Sequence, residues 1–460
     1  MKETEMKKQK RKSYTKQQKN VRPMPSVKET QLSMFGTQEF PSAEEIVEAY
    51  SKEFARYITP VGKNVFGFWM QTLADLELLN LEFTGLAKHY SINSIERTAA
   101  FTGDIDAIRL RIAHLEKVEG KPTLYTALVD KFGDTNAYAF HNLYPYKGKF
   151  YPRVVRTLIN AFGLEESALI LDPFNGSGTT THEASLMGIK SIGVDITPMG
   201  TMLAELKNDL LFINESILNF SISNLRDIAD SIENKKWKHH NPFIYKLMLI
   251  IYFDTVDAFA RTSRYNRKGK TGLFIEKFNY IRDCHKKIME IKKQFNLSFQ
   301  KAQIIQGDVL HLEEKDWKEK FDTVITSPPY YFSIDYVGKD QIAYEYLGVE
   351  MKEIESKYLG MKEIRQSIRG TTNLPPKVLM YYEDLKKSVD IIFWVLKRSG
   401  SCAIIVGDST VGGYKIPTTM MTKKFCEEAG FKFKKLIFNP LLGARNRAIR
   451  GESIIICEKE

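Results

Sequence analysis

LDPFNGSGTTTHEA, Leu171 to Ala184, follows the apolar run ALI and leads into a helical pattern. A strand, a glycine loop and a helix in succession form the context in which a nucleotide-type motif has physical meaning. Gly176 and Gly178 allow close backbone approach to a ligand, and a helix starting near Thr179 offers its N-terminus to a carboxylate or phosphate. A dinucleotide fits poorly, since GxGxxG counted from Gly176 ends on Thr181. ATP fits no better, because the Lys-Ser/Thr pair of a P-loop is missing.

The next two strand ends narrow the ligand. In GIKSIGVD, Asp195 stands where it would accept hydrogen bonds from two ribose hydroxyls, and QIIQGD ends in Gly307-Asp308, an acceptor suited to an adenine amino group. A ribose, an adenine and one amino-acid carboxylate without a pyrophosphate describe S-adenosylmethionine. The glycines alone would also suit a structural tight turn.

Beyond about His141 short β-rich runs alternate with helices: ALILD, SIGVD, QIIQGD, FDTVIT, SCAIIVGD, FKFKKLIF and ESIIICEK. This predicts an α/β fold with a mostly parallel sheet, helices on both faces, and a terminal antiparallel hairpin joined by LLGARNRAIRG. A helical insertion is expected at about 200–300, containing the basic loop RTSRYNRKGK. Upstream, EEIVEAYSKEFARYI and IDAIRLRIAHLEKV have helical apolar spacing and predict a helical N-terminal domain. Within it GLAKHYSINSIERTA, from Gly85, has the spacing of a helix-turn-helix, which any short helical pair with a polar turn also shows. The expected organisation is a disordered basic tail over 1–35, a helical domain over 36–134 and a catalytic domain over 135–460. KKQKRK in the tail reads as a solvated charge run, with a nuclear address or nucleic-acid arm as alternatives.

The chain has 460 residues, 43% of them hydrophobic, and a formal net charge of +11, which favours a polyanionic partner and puts nucleic acid first. Its four cysteines have no CxxC spacing, so disulfides and a zinc site are not expected. No apolar h-region opens the sequence and no apolar run is long enough to cross a bilayer, so the expectation is a reducing, cytoplasmic setting.

TSPPYYF, Thr326 to Phe332, ends the run FDTVI in two prolines and three aromatics. The prolines set a rigid, extended exit and leave carbonyl oxygens free to accept. A base held flat against Tyr330 would present its exocyclic amino group to the Pro328 carbonyl and the Ser327 side chain. Those acceptors would free the nitrogen lone pair and aim it at a sulfonium methyl. The cysteine nucleophile that ring-carbon methylation needs, next to a proline at a strand end, has no counterpart here. A Pro-Pro-x-Tyr peptide ligand and a structural proline cap are the plainer readings.

Together the two motifs resemble those of the exocyclic-amino DNA methyltransferases that act on cytosine N4 or adenine N6, over about 135–460. The resemblance implies a Rossmann-like class I methyltransferase with a seven-stranded sheet and S-adenosylmethionine as cofactor. It implies Ser327, Pro328, Pro329 and Tyr330 as catalytic residues and no metal. For the cofactor it implies Asp172, Pro173, Phe174, Gly176, Ser177, Gly178, Thr179, Thr180, Asp195 and Asp308. HNLYPYKGKFYPRVV is similar to the family's N-terminal cofactor segment, in which Phe150 would pack on the methionine part. Ser327 in place of Asp leans towards cytosine N4.

DNA is the implied partner, with a cognate restriction endonuclease, and a base must be flipped from the duplex to reach such a pocket. Phosphate contacts are expected from Arg261, Arg264, Arg267, Lys268 and Lys270 in the insertion and from Arg445, Arg447 and Arg450 in the hairpin, with Arg365 and Arg369 as further candidates. Two other functions fit less well. An RNA amino methyltransferase would carry a mixed α/β module before the catalytic domain, and an inactive DNA-binding regulator would not need both motifs intact.

Overall fold

The computed structural model describes residues 66–67, 73–94, 97–146, 148–149, 151–261, 269–331, 338–360, 375–411, 414–440 and 451–460. All of them lie within one compact unit, 57–460. The expected tail over 1–35 lies outside the described residues.

The seven expected β-runs all form strands of a single sheet: β1 Leu169–Asp172, β2 Lys190–Asp195, β3 Gln303–Gln306, β4 Phe321–Thr326, β5 Leu396–Val406, β6 Phe431–Pro440 and β7 Gly451–Lys459. Their spatial order is β6-β7-β5-β4-β1-β2-β3. β3, β2, β1, β4 and β5 run parallel, while β7 is antiparallel to both β5 and β6. Both faces are covered. Leu171, Val324, Ile404 and Ile455 enter one apolar cluster, and their chain neighbours Ile170, Ile325, Ala403 and Ile454 enter the other. That period of two, with every position apolar, is the signature of strands buried on both sides.

From β1 the chain winds outward through β2 to β3, then returns to lay β4 against the other edge of β1. The carboxyl ends of β1 and β4 therefore flank the point where the winding reverses, the place where open α/β sheets leave a crevice. Helices α1 Pro152–Ala161, α2 Thr179–Leu186 and α3 Pro198–Asp209 pack around this half. α4 Ile222–Glu233, α5 Pro242–Arg261 and α6 Gly269–Gln294 form the expected insertion, and share an apolar cluster with α3 and with the region before the sheet.

The region before the sheet differs from the helical expectation. It contains helices Leu73–Leu86, Ile105–Arg111 and Leu124–Phe132, but also an antiparallel pair of strands, His89–Asn93 and Thr98–Thr102. GLAKHYSINSIERTA is thus a helix end followed by a hairpin, not a helix-turn-helix. Ala99 and Phe101 alternate inward, and the rings of Phe101 and Tyr90 pack on Phe83. IDAIRLRIAHLEKV stops being helical at Arg111, because the buried Glu82 carboxylate accepts the backbone N–H groups of Ala113 and His114 in an extended turn. Nor does a boundary at 134 separate this region from the sheet. Helix Leu73–Leu86 lies so close to α1 that a Cβ on Gly85 would stand 2.0 Å from the Asn160 carbonyl.

Candidate active site

The glycine loop is fixed from several sides. Asp172 ends β1 fully buried; its Oδ1 accepts from the Thr326 hydroxyl at the end of β4 at 2.6 Å and from Phe174 N at 3.1 Å. Burial pushes its carboxyl up to about 6, against the opposing effect of those hydrogen bonds. Asn175 N donates to the Val194 carbonyl, and its side chain fills the space over Gly193, where a Cβ would meet it at 2.4 Å. Gly178, at φ +78°, begins α2 and faces Ala204, whose Cβ would lie 2.8 Å from a side chain there.

Beneath the loop Lys207, on α3, donates to the Ser177 carbonyl at 2.8 Å and its hydroxyl at 3.2 Å, and burial pushes its ammonium well below the usual range. Thr180 donates to the Ile325 carbonyl at 3.3 Å. On α2, Glu183 accepts from Tyr138 at 2.7 Å and from Arg156 at 3.0 Å, with His141 Nε2 2.7 Å away, so the N-terminal region is tied to the helix that carries the loop.

An open cleft lies above the strand ends. Pro173, Phe174, Gly176, Asp195, Asp308, Ser327 and Pro329 line it, so four of the sequence stretches meet in one place. Asp172 and Gly178 instead hold the loop from behind. Asp195 Oδ2 accepts from Gly176 N at 2.7 Å and Oδ1 from Thr197 N at 2.8 Å, while burial raises its carboxyl above the usual range. Asp308 Oδ1 accepts from Leu310 N at 2.9 Å. The rest of the lining escaped the sequence reading: Tyr146, Gly148, Ile196, Val309, Lys357, Tyr358 and Leu359. Of these Tyr146 belongs to a segment already singled out, and its ring covers Gly176, where a Cβ would stand 3.2 Å from it. Phe150, expected in that role, lies outside the described residues.

At the end of β4, Ser327 is half-buried on the cleft wall with no hydrogen-bond partner among the described residues, and none of these donates to the Pro328 carbonyl. The following groups are engaged. The Pro329 carbonyl accepts from the Tyr381 hydroxyl at 3.0 Å, the Tyr331 carbonyl from Ser409 at 3.3 Å, and the Tyr330 hydroxyl donates to Glu452 on β7 at 2.8 Å. Tyr330 itself is buried and does not line the cleft in this state.

Of the basic candidates only Lys270 and the backbone of Arg261 are described. Lys270 starts α6 and pairs with Glu233 at 2.6 Å on the insertion surface. Arg261 ends α5, and Arg264, Arg267, Lys268, Arg365, Arg369, Arg445, Arg447 and Arg450 lie outside the described residues.

A family model for DNA methylases of the N6/N4 class matches residues 3–199, a range that includes the whole glycine loop. Over that range the chain is similar to this family. Type II methyltransferase M.BsoBI from Geobacillus stearothermophilus is 26% identical over 326 residues, an alignment covering 58% of this chain and 62% of that protein. The chain thus spans less than two thirds of that relative's length. A tRNA (guanine(10)-N2)-dimethyltransferase from Methanothermobacter thermautotrophicus is 41% identical over 51 residues, 11% of this chain and 15% of that protein. Among solved structures, a SAM-dependent methyltransferase from Methanosarcina mazei is 10% identical with a TM-score of 0.30, covering 66% of this chain and 96% of that one.

S-adenosylmethionine, the cofactor that the sequence motifs imply, fits the cleft. Carboxylates at the ends of β2 and β3 match hydroxyl and amino donors, flat apolar surfaces of Phe174 and Pro329 flank them, and no phosphate-binding lysine stands in the loop.

Proposed function

We propose that the chain is an S-adenosylmethionine-dependent DNA methyltransferase that modifies the exocyclic amino nitrogen of a flipped base, cytosine N4 in preference to adenine N6. Its setting would be a cytoplasmic restriction-modification or related defence system with a cognate endonuclease as partner. The observation that carries this reading is the Ser327 hydroxyl, which has no hydrogen-bond partner among the described residues and stands on the wall of the cleft that Asp195 and Asp308 line.

Bound S-adenosylmethionine supplies a methyl group on a cationic sulfur. Asp195 holds the ribose hydroxyls and Asp308 the adenine amino group. Gly176 keeps the loop backbone within reach of the rest, under Tyr146. Ser327 and Pro328 accept the two hydrogens of the target amino group, so that its lone pair leaves the ring system and the nitrogen becomes nucleophilic. Tyr330 stacks on the flipped base and holds it in plane. The cationic residues of the insertion and of the segment 441–450 offset the cost of flipping through phosphate contacts.

A second reading has one observation in its favour. An RNA amino methyltransferase would carry a mixed α/β region before the catalytic sheet, and the strands at 89–93 and 98–102 give this chain such a region. One experiment separates the two. Genomic DNA from cells with and without the protein is sequenced by a method that distinguishes N4-methylcytosine from N6-methyladenine, and purified protein is offered DNA and RNA in single-turnover transfer. Methylcytosine at one sequence motif supports the first reading. Transfer to RNA alone overturns it.

A further inference from the structure

We propose that Glu452 is a positioning residue for methyl transfer, holding the Tyr330 ring, through its hydroxyl, in the attitude that receives a flipped base. The inference rests on the reading of Tyr330 as the base-stacking residue. Glu452 is the second residue of β7 and lies 122 positions from Tyr330 in sequence, with 2.8 Å between the hydroxyl and Oε1.

The pair is poorly explained as a stabilising contact. A phenylalanine in place of Tyr330 would need no partner, whereas the tyrosine brings a hydroxyl and the glutamate a carboxylate into a site where both lose water. Burial raises the Glu452 carboxyl above its usual range, and the Tyr330 hydrogen bond acts against that rise. What the pair supplies is direction, because a hydrogen bond at the far end of a ring fixes where that end lies in a way that apolar packing does not.

The neighbours show the same economy of freedom. The Pro329 carbonyl is held by Tyr381 and the Tyr331 carbonyl by Ser409, so each residue after Pro328 is anchored at one polar atom by a different distant element. Glu452 also sits two residues beyond the segment 441–450, and the Tyr151 hydroxyl at the entrance to α1 is raised by burial and then by the charge of Glu452.

The test uses the full chain, with DNA carrying 2-aminopurine at the target position found by sequencing the methylated genome for binding, and the same duplex with its natural target base for transfer. Glu452→Ala, Glu452→Gln, Tyr330→Phe and the double variant Tyr330→Phe/Glu452→Ala are compared for the 2-aminopurine fluorescence rise on binding, for single-turnover transfer, and for S-adenosylmethionine affinity by calorimetry. Glu452→Ala should lower both the fluorescence rise and the transfer rate, the latter by about tenfold or more, with cofactor affinity within about twofold of wild type. Glu452→Gln should recover most of the loss, since its amide oxygen accepts the same bond, and the double variant should be no worse than Tyr330→Phe.

Wild-type flipping and transfer in Glu452→Ala would overturn the inference, as would losses that add in the double variant, or a Glu452→Gln protein as defective as Glu452→Ala. Tyr330→Ala separates the two levels of the argument. If it is defective while Glu452→Ala is not, only the positioning role fails. If Tyr330→Ala itself transfers normally, the base-stacking reading fails and takes this inference with it.

Discussion

The glycine loop after β1 and the proline exit after β4 are both turns at the carboxyl ends of adjacent parallel strands, yet they are held by different means. The loop is secured mostly by groups from its own neighbourhood in the chain: Phe174 N on Asp172, Thr181 on Asn175, Asp195 on Gly176 N and Lys207 on Ser177. The exit is secured by Tyr381, Ser409 and Glu452, which lie 52, 78 and 122 residues from their partners. A cofactor site can be written within one βαβ unit and read as a motif. A pocket for a substrate base takes its walls from wherever the fold brings chain to it.

The largest expected effect tests the exit where it is least engaged. Ser327→Ala should slow single-turnover methyl transfer on the order of 100-fold while leaving S-adenosylmethionine affinity near wild type, because the hydroxyl acts on the amino group alone. A wild-type rate would make the exit a structural cap and erase the functional side of the contrast.

A pH experiment probes the loop. The folded Asp172 carboxyl, raised to about 6 from 3.8, binds its proton more tightly than the unfolded one. Its contribution therefore favours the folded state most below about pH 4 and fades as pH rises through 6, a change of about 3 kcal/mol. Asp172→Asn should remove this slope from denaturant unfolding measured between pH 4 and 7. Equal slopes in the two proteins would mean the carboxyl is not sequestered as the geometry requires.

Gly178→Ala should cost about 1–3 kcal/mol of stability, since the left-handed backbone disfavours a side chain and the new Cβ would press on Ala204. A thermal midpoint equal to wild type would show that α3 yields to it. The smallest effect falls on the link between the turns: Thr326→Val removes the hydroxyl bonded to Asp172 and should cost about 1 kcal/mol. It should weaken cofactor binding and slow transfer together, and a change confined to one of them would show that the two turns are mechanically separate.

Much of the catalytic half was legible because its signals are short. Apolar runs of four to eight residues, two glycines with positive φ and a Ser-Pro-Pro-Tyr exit each constrain the backbone within a few positions, and the seven strands follow from them. The helical expectation over 36–134 gave way, among the described residues, where a tertiary contact overrode local periodicity. Glu82, from the preceding helix, ends IDAIRLR by capturing two N–H groups, and Phe83 gives the strands at 89–93 and 98–102 a surface to pack on.

The sequence by itself determined the family of the sheet, the kind of cofactor and the candidate atoms for the chemistry, because each depends on residues adjacent in the chain or on the alternation of strand and helix. Only the tertiary structure decided that Tyr146 covers the glycine loop, that Lys207 supports it from below, and that Glu452 receives the hydroxyl of Tyr330. The physical reason is that a hydrogen bond between groups 122 residues apart leaves no periodic or spacing signal in either segment. It comes into being only when β7 is laid beside β5 and the end of β4 is brought to face it.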